Sequence, residues 1–391
     1  TIENIVFLAE DQEFLRQELK KRHLVAFLAN GSILPRESGI SQKPLQNAIP
    51  FQSPESLAIE ISLPHKGTIK GMGIPKGITL ITGGGYHGKS TLLTALETGV
   101  YNHISGDGRE FVLTDASAVK LRSEDGRFIK DVDISLFIND LPNGKDTHCF
   151  STLDASGSTS QAAGIVEGIE AGSKLFLLDE DTSATNFMVR DAFMQQVISR
   201  DKEPITPFLE RAAQLFAKAD ISTILVAGSC GAFFHIADTI IQMDNYQAMD
   251  ITKKVKKLCP KYPLPPSAAA DFCMPSSHRI MSSTKKSSYK DFKIKCQGKD
   301  AFSLGKDIVD LRYIEQLIDK EQTATLGELL KYAREHLIDG KRTLAEIVHT
   351  LQDSLEKDGF SKICNCSYIP CGMAIPRTEE IFSCFNRYRR P

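Results

Sequence analysis

The sequence contains no apolar run that approaches the roughly 18–20 residues needed to cross a bilayer, which excludes a membrane-spanning protein. Its opening stretch, residues 1–9, has no basic region ahead of an apolar one, so we predict no secretory signal. The chain begins at Thr1 rather than at Met, and we expect a fragment that lacks its front end. It also has no internal repeat and no heptad run long enough for a coiled coil.

Net charge and cysteine content say little about the partners of the protein and only a little more about its cellular compartment. The formal net charge of −2 favours no class of partner. Nine scattered cysteines, an odd number, suit a reducing compartment better than a disulfide framework. We therefore expect an intracellular protein, for which the mitochondrial matrix and the cytoplasm fit equally well. The 391 residues, 41% of them hydrophobic, are enough for about two to three domains with a sizeable core.

Apolar, β-rich runs alternate with helical patterns between residues 57 and about 249. The predicted strands are Ile78–Thr82, Phe111–Thr114, Leu175–Leu178, Ser222–Ala227 and Thr239–Met243, and the predicted helices are Ser90–Thr98, Gln161–Ala171, Phe187–Ser199 and Pro207–Ala219. Ahead of them, Glu10–Arg22 predicts an amphipathic helix and His23–Ala29 a short strand. Buried strands alternating with helices predict an α/β fold with a mostly parallel sheet covered on both faces.

The composition changes after residue 250. Residues 253–299 contain twelve basic residues against two acidic ones, which gives this segment a net charge of +10 and the rest of the chain −12. The segment is also rich in Pro and Ser, which predicts a linker or an irregular excursion. Helical periodicity returns over residues 308–358.

The most informative motif is GGGYHGKS at residues 83–90, which follows a predicted strand and opens a predicted helix. In that context glycine backbone N–H groups and a helix N-terminus bind phosphate oxygens, whereas the alternative is a glycine-rich turn. We expect Lys89 to reach the β- and γ-phosphates and Ser90 to ligate Mg²⁺. The predicted nucleotide-binding residues are Gly83, Gly84, Gly85, Tyr86, His87, Gly88, Lys89, Ser90 and Thr91.

Two further motifs carry chemistry. The run LFLLDE at residues 175–180 predicts a buried strand that delivers Asp179 to hold Mg²⁺ and Glu180 to polarise the attacking water, although two acids after a strand are also common in a solvated loop. Ser156, Gly157 and Ser158 precede a predicted helix and form a second anion-binding candidate, for which the alternative is an ordinary helix cap.

The order of these motifs, followed by TSATN at residues 182–186, resembles ABC-type ATPases. The chain looks more specifically like the soluble family of predicted ATPases of the ABC class, through long runs that include GMGIPKGITLITGGGYHGKSTLLTALETGVYNHI (71–104), FSTLDASGSTSQAA (150–163) and DEDTSATNFMVRD (179–191). The resemblance is dense over roughly 30–250 and thinner beyond.

This resemblance implies a P-loop NTPase of ABC-ATPase type with a basic, partly irregular C-terminal region that contains helices. The implied regions are an N-terminal segment (1–56), the ATPase domain (57–250), a basic linker or nucleic-acid-binding excursion (251–300) and a C-terminal helical region (301–391). Two copies would enclose ATP, each nucleotide held by Lys89 and Ser90 of one copy and closed by Ser156 and Gly157 of the other. Residues 183–186 would match the D-loop that links the two sites.

The sequence departs from the ABC pattern at two positions. No Gln lies between Thr91 and Ala155 to serve as the Q-loop ligand, and Glu124, Asp125 and Arg127 are the substitutes that we consider. The position of the switch histidine falls within residues 227–231, AGSCG, and contains no His. We therefore expect slow ATP hydrolysis. The adenine-stacking group is left open between His65 and Tyr101.

The resembling family includes an RNA-binding, homodimeric accessory ATPase of kinetoplastid mitochondrial RNA editing, which implies an RNA partner and a place in a larger RNA-processing complex. Cations of the basic segment can neutralise phosphates, and Phe272, Tyr289 and Phe292 can stack on bases, while the alternative is a solvated loop. The candidate RNA-binding residues are Lys253, Lys254, Lys256, Lys257, Lys285 and Lys286.

Three alternatives remain at this point. The chain could be the nucleotide-binding subunit of a transport system, or a P-loop kinase, although the ASGSTSQ run disfavours a kinase. Cys364, Cys366, Cys371 and Cys384 could hold zinc, but their spacing does not match the usual ligand pairs, so buried or loop thiols are favoured.

Overall fold

The structure is a computed structural model and describes residues 2–198, 202–265, 269, 271–283, 293–364 and 371–389. Its helices are α1 (Ile2–Lys21), α2 (Lys89–Thr98), α3 (Gly157–Glu170), α4 (Thr185–Met188), α5 (Ala192–Val197), α6 (Phe208–Ala219), α7 (Phe233–Ile236), α8 (Thr252–Leu258), α9 (Lys320–His336), α10 (Leu344–Asp358), α11 (Phe360–Ile363) and α12 (Thr378–Arg387). Its strands are β1 (Leu24–Ala29), β2 (Ala58–Leu63), β3 (Gly67–Pro75), β4 (Ile78–Thr82), β5 (Val112–Thr114), β6 (Val119–Leu121), β7 (Arg127–Val132), β8 (Phe150–Ala155), β9 (Leu175–Asp179), β10 (Ser222–Val226), β11 (Thr239–Asp244), β12 (Gln247–Asp250), β13 (Ile294–Gln297), β14 (Ala301–Leu304) and β15 (Asp307–Asp310).

The chain divides into two compact units. The first unit comprises Thr1–Leu121, Lys174–Arg200 and Pro207–Ala270, and the second comprises Arg122–Ser173, Asp201–Thr206 and Asp271–Pro391. Within the residues that the structure describes, no helix is both long and apolar enough to cross a membrane.

The first unit is built on a six-stranded sheet in the order β12-β11-β4-β10-β9-β6. The pairs β11–β4, β4–β10, β10–β9 and β9–β6 are parallel, and only the edge strand β12 runs antiparallel to its neighbour. Residues 175–179 of β9 and 222–226 of β10 are buried throughout, as expected of parallel strands covered on both faces. The predicted α/β fold with a mostly parallel sheet is therefore confirmed.

An antiparallel sheet in the order β2-β3-β1-β5 completes the first unit. One hydrophobic cluster joins β1, β3 and β5 to α2 and to the central sheet, with Leu28, Leu96 and Ile224 fully buried. A second cluster packs Leu15 and Leu19 of α1 against the antiparallel sheet, as the amphipathic pattern of that helix predicts.

The prediction of one continuous helix over Phe187–Ser199 is wrong. The structure has two short helices, α4 and α5, and Val189 between them is extended. Asp191 then starts α5, because its Oδ1 accepts hydrogen bonds from the backbone N–H groups of Phe193 and Met194 at 2.9 and 3.0 Å. An Asp that caps a new helix competes with continuation of the previous one. Ser199 lies outside the described residues.

The second unit contains the β7–β8 hairpin, α3, an antiparallel β13-β14-β15 sheet and the C-terminal helices. Its core is formed by apolar side chains of β14, β15, α9, α10 and α12, among them Phe302, Leu329, Leu351 and Phe382. The helical periodicity predicted from residue 308 is wrong at its start, because residues 307–310 form β15. Gly305, with φ of +65°, makes the turn that pairs β15 with β14 and brings Val309 opposite Phe302 in the core.

A buried network of charges lies at the centre of the second unit. Arg387 of α12 donates to the carboxylate of Glu124, and Arg127 of β7 donates to Glu167 of α3 at 2.5 Å. The backbone N–H of Glu124 donates to Ser160 Oγ of α3 at 2.8 Å. This network therefore joins the last helix of the chain to α3, the helix that follows residues 156–158.

A second contact joins the same two helices. Arg279 donates to Glu170 of α3 through Nε at 2.9 Å and to Asn386 of α12 at 2.7 Å.

Burial alone would raise the pKa of Glu124, but the positive charges of Arg387 and Arg127 outweigh burial and hold that pKa below the ordinary value of 4.5. Glu124 is therefore a carboxylate at neutral pH.

The network predicts a stability effect for Arg387→Met. Glu124 and Arg387 side chains are only 9% and 11% exposed, so removing the arginine leaves a buried carboxylate without its closest cation. We expect a loss of about 3 kcal/mol in the free energy of unfolding at pH 7, measured by urea unfolding. Because the pKa of Glu124 is lowered in the folded state, this contribution is complete above about pH 4.5. It is lost as the pH falls through the folded pKa, so the two proteins converge in acid.

The matched control is Lys362→Met, which removes the cation of an exposed pair. Lys362 and Asp358 are 3.5 Å apart and each is 49% exposed. We expect a change of no more than about 0.5 kcal/mol for this variant. An Arg387→Met protein as stable as the wild type at pH 7 would contradict the assignment of a stabilising network.

Candidate functional site

The phosphate loop lies directly between β4 and α2, as its motif predicts. Gly83 and Gly88 have φ angles of +140° and +99°. A Cβ atom on Gly83 would lie 2.3 Å from the carbonyl oxygen of Met243 on β11, so no other residue fits there. Ser90, in the first turn of α2, is exposed. The glycine-rich loop thus leads directly into a helix N-terminus, an arrangement that favours binding of an anion.

Lys89 and Tyr86 have distinct environments within this loop. The Lys89 Nζ donates to the carbonyl oxygens of Gly83 and Gly84, both at 2.7 Å, so its ammonium group lies over the loop. Tyr86 has φ of +63° and a fully exposed side chain. A bulky residue in the left-handed region is uncommon and concentrates at functional sites.

The β11–β12 turn supports the phosphate loop through His87. The backbone N–H of Asn245 donates to His87 Nδ1 at 2.9 Å, and the N–H of Tyr246 donates to the His87 carbonyl at 3.0 Å. Asp244 Oδ1 also lies 3.0 Å from Nδ1. This support cannot be predicted from the sequence, since no local pattern connects residue 87 to residues 244–246.

The end of β9 brings the first of the two predicted acids to the same sheet edge. Asp179 lies opposite Val226 of β10, and Val226 lies opposite Ile81 of β4. The side chain of Asp179 is 9% exposed, and its Oδ1 accepts a hydrogen bond from the N–H of Asp181 at 3.0 Å. Parallel pairing in this register places Asp179 and the start of the phosphate loop at the same carboxyl edge of the sheet.

Glu180 is held by the turn that follows β10. Its Oε2 accepts hydrogen bonds from the backbone N–H groups of Gly228 and Ser229 at 2.9 and 3.1 Å, and the Ser229 hydroxyl donates to Oε1. Burial alone would raise the pKa of Glu180, but the Ser229 hydroxyl and three backbone N–H groups outweigh burial and hold this pKa below its ordinary range. Glu180 is therefore ionised at neutral pH, as a general base must be. No sequence motif marks Ser229 as part of the site.

The oxygen-bearing side chains of this site suit a hard divalent cation. Ser90 supplies a hydroxyl and Asp179 a carboxylate, and Mg²⁺ prefers a few oxygen ligands of this kind together with substrate phosphates. When bound, Mg²⁺ would neutralise charge on the phosphate oxygens. Within the described residues, no group of three or more His, Cys, Asp and Glu side chains could hold a metal ion without such phosphates.

Ser156 caps α3 in the second unit. Its Oγ accepts the backbone N–H of Thr159 at 3.3 Å and lies 2.9 Å from the Thr159 hydroxyl. Ser156 is exposed, and Gly157 and Ser158 are half-buried. The ordinary capping role that the sequence left open is therefore real, and the exposed hydroxyl and helix N-terminus can still receive an anion.

The candidate substitutes for the Q-loop glutamine differ in accessibility. Glu124 and Arg127 are buried and engaged in the buried network, whereas Asp125 between them is exposed. Of the adenine-stacking candidates, the ring of His65 stacks on Phe7 at 4.1 Å, and Tyr101 packs against the first unit's core. Both aromatic groups thus have protein partners.

The basic segment is described only in part. Lys253, Lys254, Lys256 and Lys257 lie on α8 and are exposed, while Lys285 and Lys286 lie outside the described residues. Lys256 Nζ donates to the carbonyls of Phe234 and His235 at 3.1 Å each, so this cation is already engaged at the end of α7.

The aromatic side chains of this segment do not all face solvent. Phe272 is 9% exposed, which makes its predicted stacking on bases wrong, since its ring is buried. Tyr289 and Phe292 lie outside the described residues.

Of the four cysteines considered for zinc, Cys384 is buried, and burial raises the pKa of its thiol well above the ordinary value. Cys366 lies outside the described residues.

Comparison with known proteins agrees with this geometry. Residues 1–276 match the family model of the ABC_ATPase P-loop domain, and residues 293–391 match that of the MRB1590 C-terminal domain. An uncharacterized protein of Methanocaldococcus jannaschii is 33% identical over 264 residues, which are 62% of this chain and 55% of that protein. The chain thus spans about half the length of this relative.

Two solved structures resemble part of this chain at lower sequence identity. One is an ATP-binding cassette of an ABC transporter in its ADP conformation, at 14% identity over 49% of this chain and 87% of that chain, with a TM-score of 0.32. The other is cbiO1 from Clostridium perfringens, part of the ABC transporter complex cbiONQ, at 15% identity over 52% of this chain and 89% of that chain, also with a TM-score of 0.32. Because the ABC_ATPase model covers more than half of the sequence, the chain belongs to the ABC_ATPase family of P-loop domains.

Proposed function

We propose that this protein hydrolyses ATP at its phosphate loop and couples ATP binding to RNA binding. The observation that carries the first part is the convergence of Lys89, Asp179 and Glu180 at one edge of the parallel sheet. The loop would hold ATP or ADP, with Lys89 on the β- and γ-phosphates and with Mg²⁺ at Ser90 and Asp179.

Glu180 is proposed as the general base. In the reaction, the oxygen of a water molecule bonds to the γ-phosphorus, the bond from that phosphorus to the β–γ bridging oxygen breaks, and the water proton passes to the Glu180 carboxylate. The ionised state of Glu180 supports this role. The absence of a histidine in residues 227–231 is the reason that we propose slow turnover.

A second copy of the chain would complete each site. We propose that Ser156, Gly157 and Ser158 of that copy contact the γ-phosphate, since a helix N-terminus with an exposed Ser156 favours an anion. The proposed D-loop, residues 183–186, is bonded to the end of β9, because the Ser183 hydroxyl donates to the Asp179 carbonyl at 2.7 Å. This contact supports communication between paired sites.

The proposal of an RNA partner rests on the exposed lysines of α8 and on the match of residues 293–391 to the MRB1590 C-terminal domain. Lys253, Lys254 and Lys257 are the described candidates whose ammonium groups are exposed. We also propose the predicted domain boundaries at residues 56, 250 and 300, a homodimer, a place in an RNA-processing complex, and a mitochondrial or cytoplasmic location.

The first prediction from this function concerns Glu180→Gln and Lys89→Ala. Glu180→Gln keeps the size of the side chain and one of its two accepting oxygens, but its amide cannot take a proton. We expect it to bind ATP as the wild type does, to lower kcat by at least about 100-fold, and to elute with ATP as a dimer in size-exclusion chromatography. Lys89→Ala should instead lose ATP binding, measured with a fluorescent ATP analogue. Normal hydrolysis by Glu180→Gln would show that the base is another residue.

The second prediction concerns RNA. Lys253→Glu combined with Lys254→Glu should weaken binding to a labelled single-stranded RNA in a filter assay while ATP binding stays intact. The slope of log affinity against log salt concentration should become shallower by about 0.7 for each RNA phosphate that the variant no longer neutralises. Lys20→Glu with Lys21→Glu on α1 is the charge-matched control and should bind RNA as the wild type does. If wild-type protein binds no RNA at any salt concentration, a transport subunit or a kinase becomes the better interpretation.

A further inference from the structure

The turn after β10 occupies the position where the ABC pattern expects a histidine. Residues 227–231 read AGSCG, and the turn starts at the sheet edge because the Ala227 N–H donates to the Ile81 carbonyl of β4 at 3.0 Å. A Cβ atom on Gly228 would lie 3.6 Å from Lys89 Nζ, so the turn passes directly beside the phosphate-binding lysine. It therefore contacts the loop on one side and Glu180 on the other.

The two oxygens of Glu180 are held by different kinds of donor. Oε2 accepts two backbone N–H groups, from Gly228 and Ser229, and the backbone N–H of Cys230 also interacts with the carboxylate. No substitution of a side chain removes these three N–H groups. Oε1 accepts the Ser229 hydroxyl, which a substitution can remove. Rotation about the Cγ–Cδ bond would move both oxygens, so the N–H groups on Oε2 and the hydroxyl on Oε1 oppose it together. The hydroxyl is the one of these donors that a change of side chain can remove.

We propose that Ser229 is a positioning residue that fixes the orientation of the Glu180 carboxylate toward the attacking water, in the place of the switch histidine. This inference rests on the proposed function, since it deepens the role of the same base. A base must lie within hydrogen-bond reach of the proton that it takes, and small misplacements reduce rate steeply. Ser229 acts on the reaction only through Glu180.

Ser229→Ala tests the inference with little risk to folding, because Ser229 is exposed. We expect kcat for ATP hydrolysis to fall about tenfold, while KM and the affinity for a fluorescent ATP analogue stay within about twofold. Ser229→Thr keeps the hydroxyl and should restore most of kcat. Ser56→Ala is the matched control, because the Ser56 hydroxyl donates to the carboxylate of Asp250 at 2.7 Å elsewhere in the same unit. Its kcat should equal that of the wild type.

Three results would overturn the inference while leaving the proposed function in place. They are an unchanged kcat in Ser229→Ala, a Ser229→Thr protein as slow as Ser229→Ala, and a raised KM with unchanged kcat, which would place Ser229 on the nucleotide instead. A wild type that hydrolyses no ATP would overturn the proposed function and this inference together. If the wild type hydrolyses ATP and Glu180→Gln does not, the proposed function stands. The result for Ser229→Ala then tests this inference alone.

Discussion

Parallel pairing of β4, β10 and β9 is the constraint on which the candidate ATP site depends. Ile81, Val226 and Asp179 lie opposite one another across these three strands, so the loops that follow them leave the sheet at one edge. One loop is the phosphate loop, one contains Ser229 and one begins with Glu180. A shift of one residue in this register would turn Asp179 to the opposite face of the sheet, because side chains alternate along a strand.

Hydrogen bonds to neighbouring segments hold the groups at this edge in place. The hairpin between β11 and β12 supports the phosphate loop at His87, and the turn after β10 holds Glu180. The Lys89 ammonium lies on two carbonyls of its own loop. Charged groups are thus oriented by fixed dipoles of the chain, which is the arrangement that electrostatic catalysis requires.

The second unit connects the helix behind Ser156 to the C-terminal end of the described chain. Glu167 and Glu170 of α3 bond to Arg127 and Arg279, and the side chains of Asn386 and Arg387 complete the network on α12. Separating a buried ion pair is costly, because each charge would be left buried without its partner, so these pairs hold α3 and α12 together. A displacement of α12 would therefore be transmitted to α3, which offers a physical route between the C-terminal region and the residues proposed to close on ATP.

Local chemistry in the sequence determined the phosphate loop, the strand ahead of Asp179 and the amphipathic helices α9 and α10, because each depends on residues close together along the chain. Tertiary structure alone decided the rest. The contact of Ser229 with Glu180 and that of His87 with residues 244–246 join positions far apart in sequence, and the charges of Glu124 and Arg387 meet across more than 260 residues. The burial of Phe272 and the pairing of β15 with β14 likewise depend on long-range packing, which overrides local periodicity and composition.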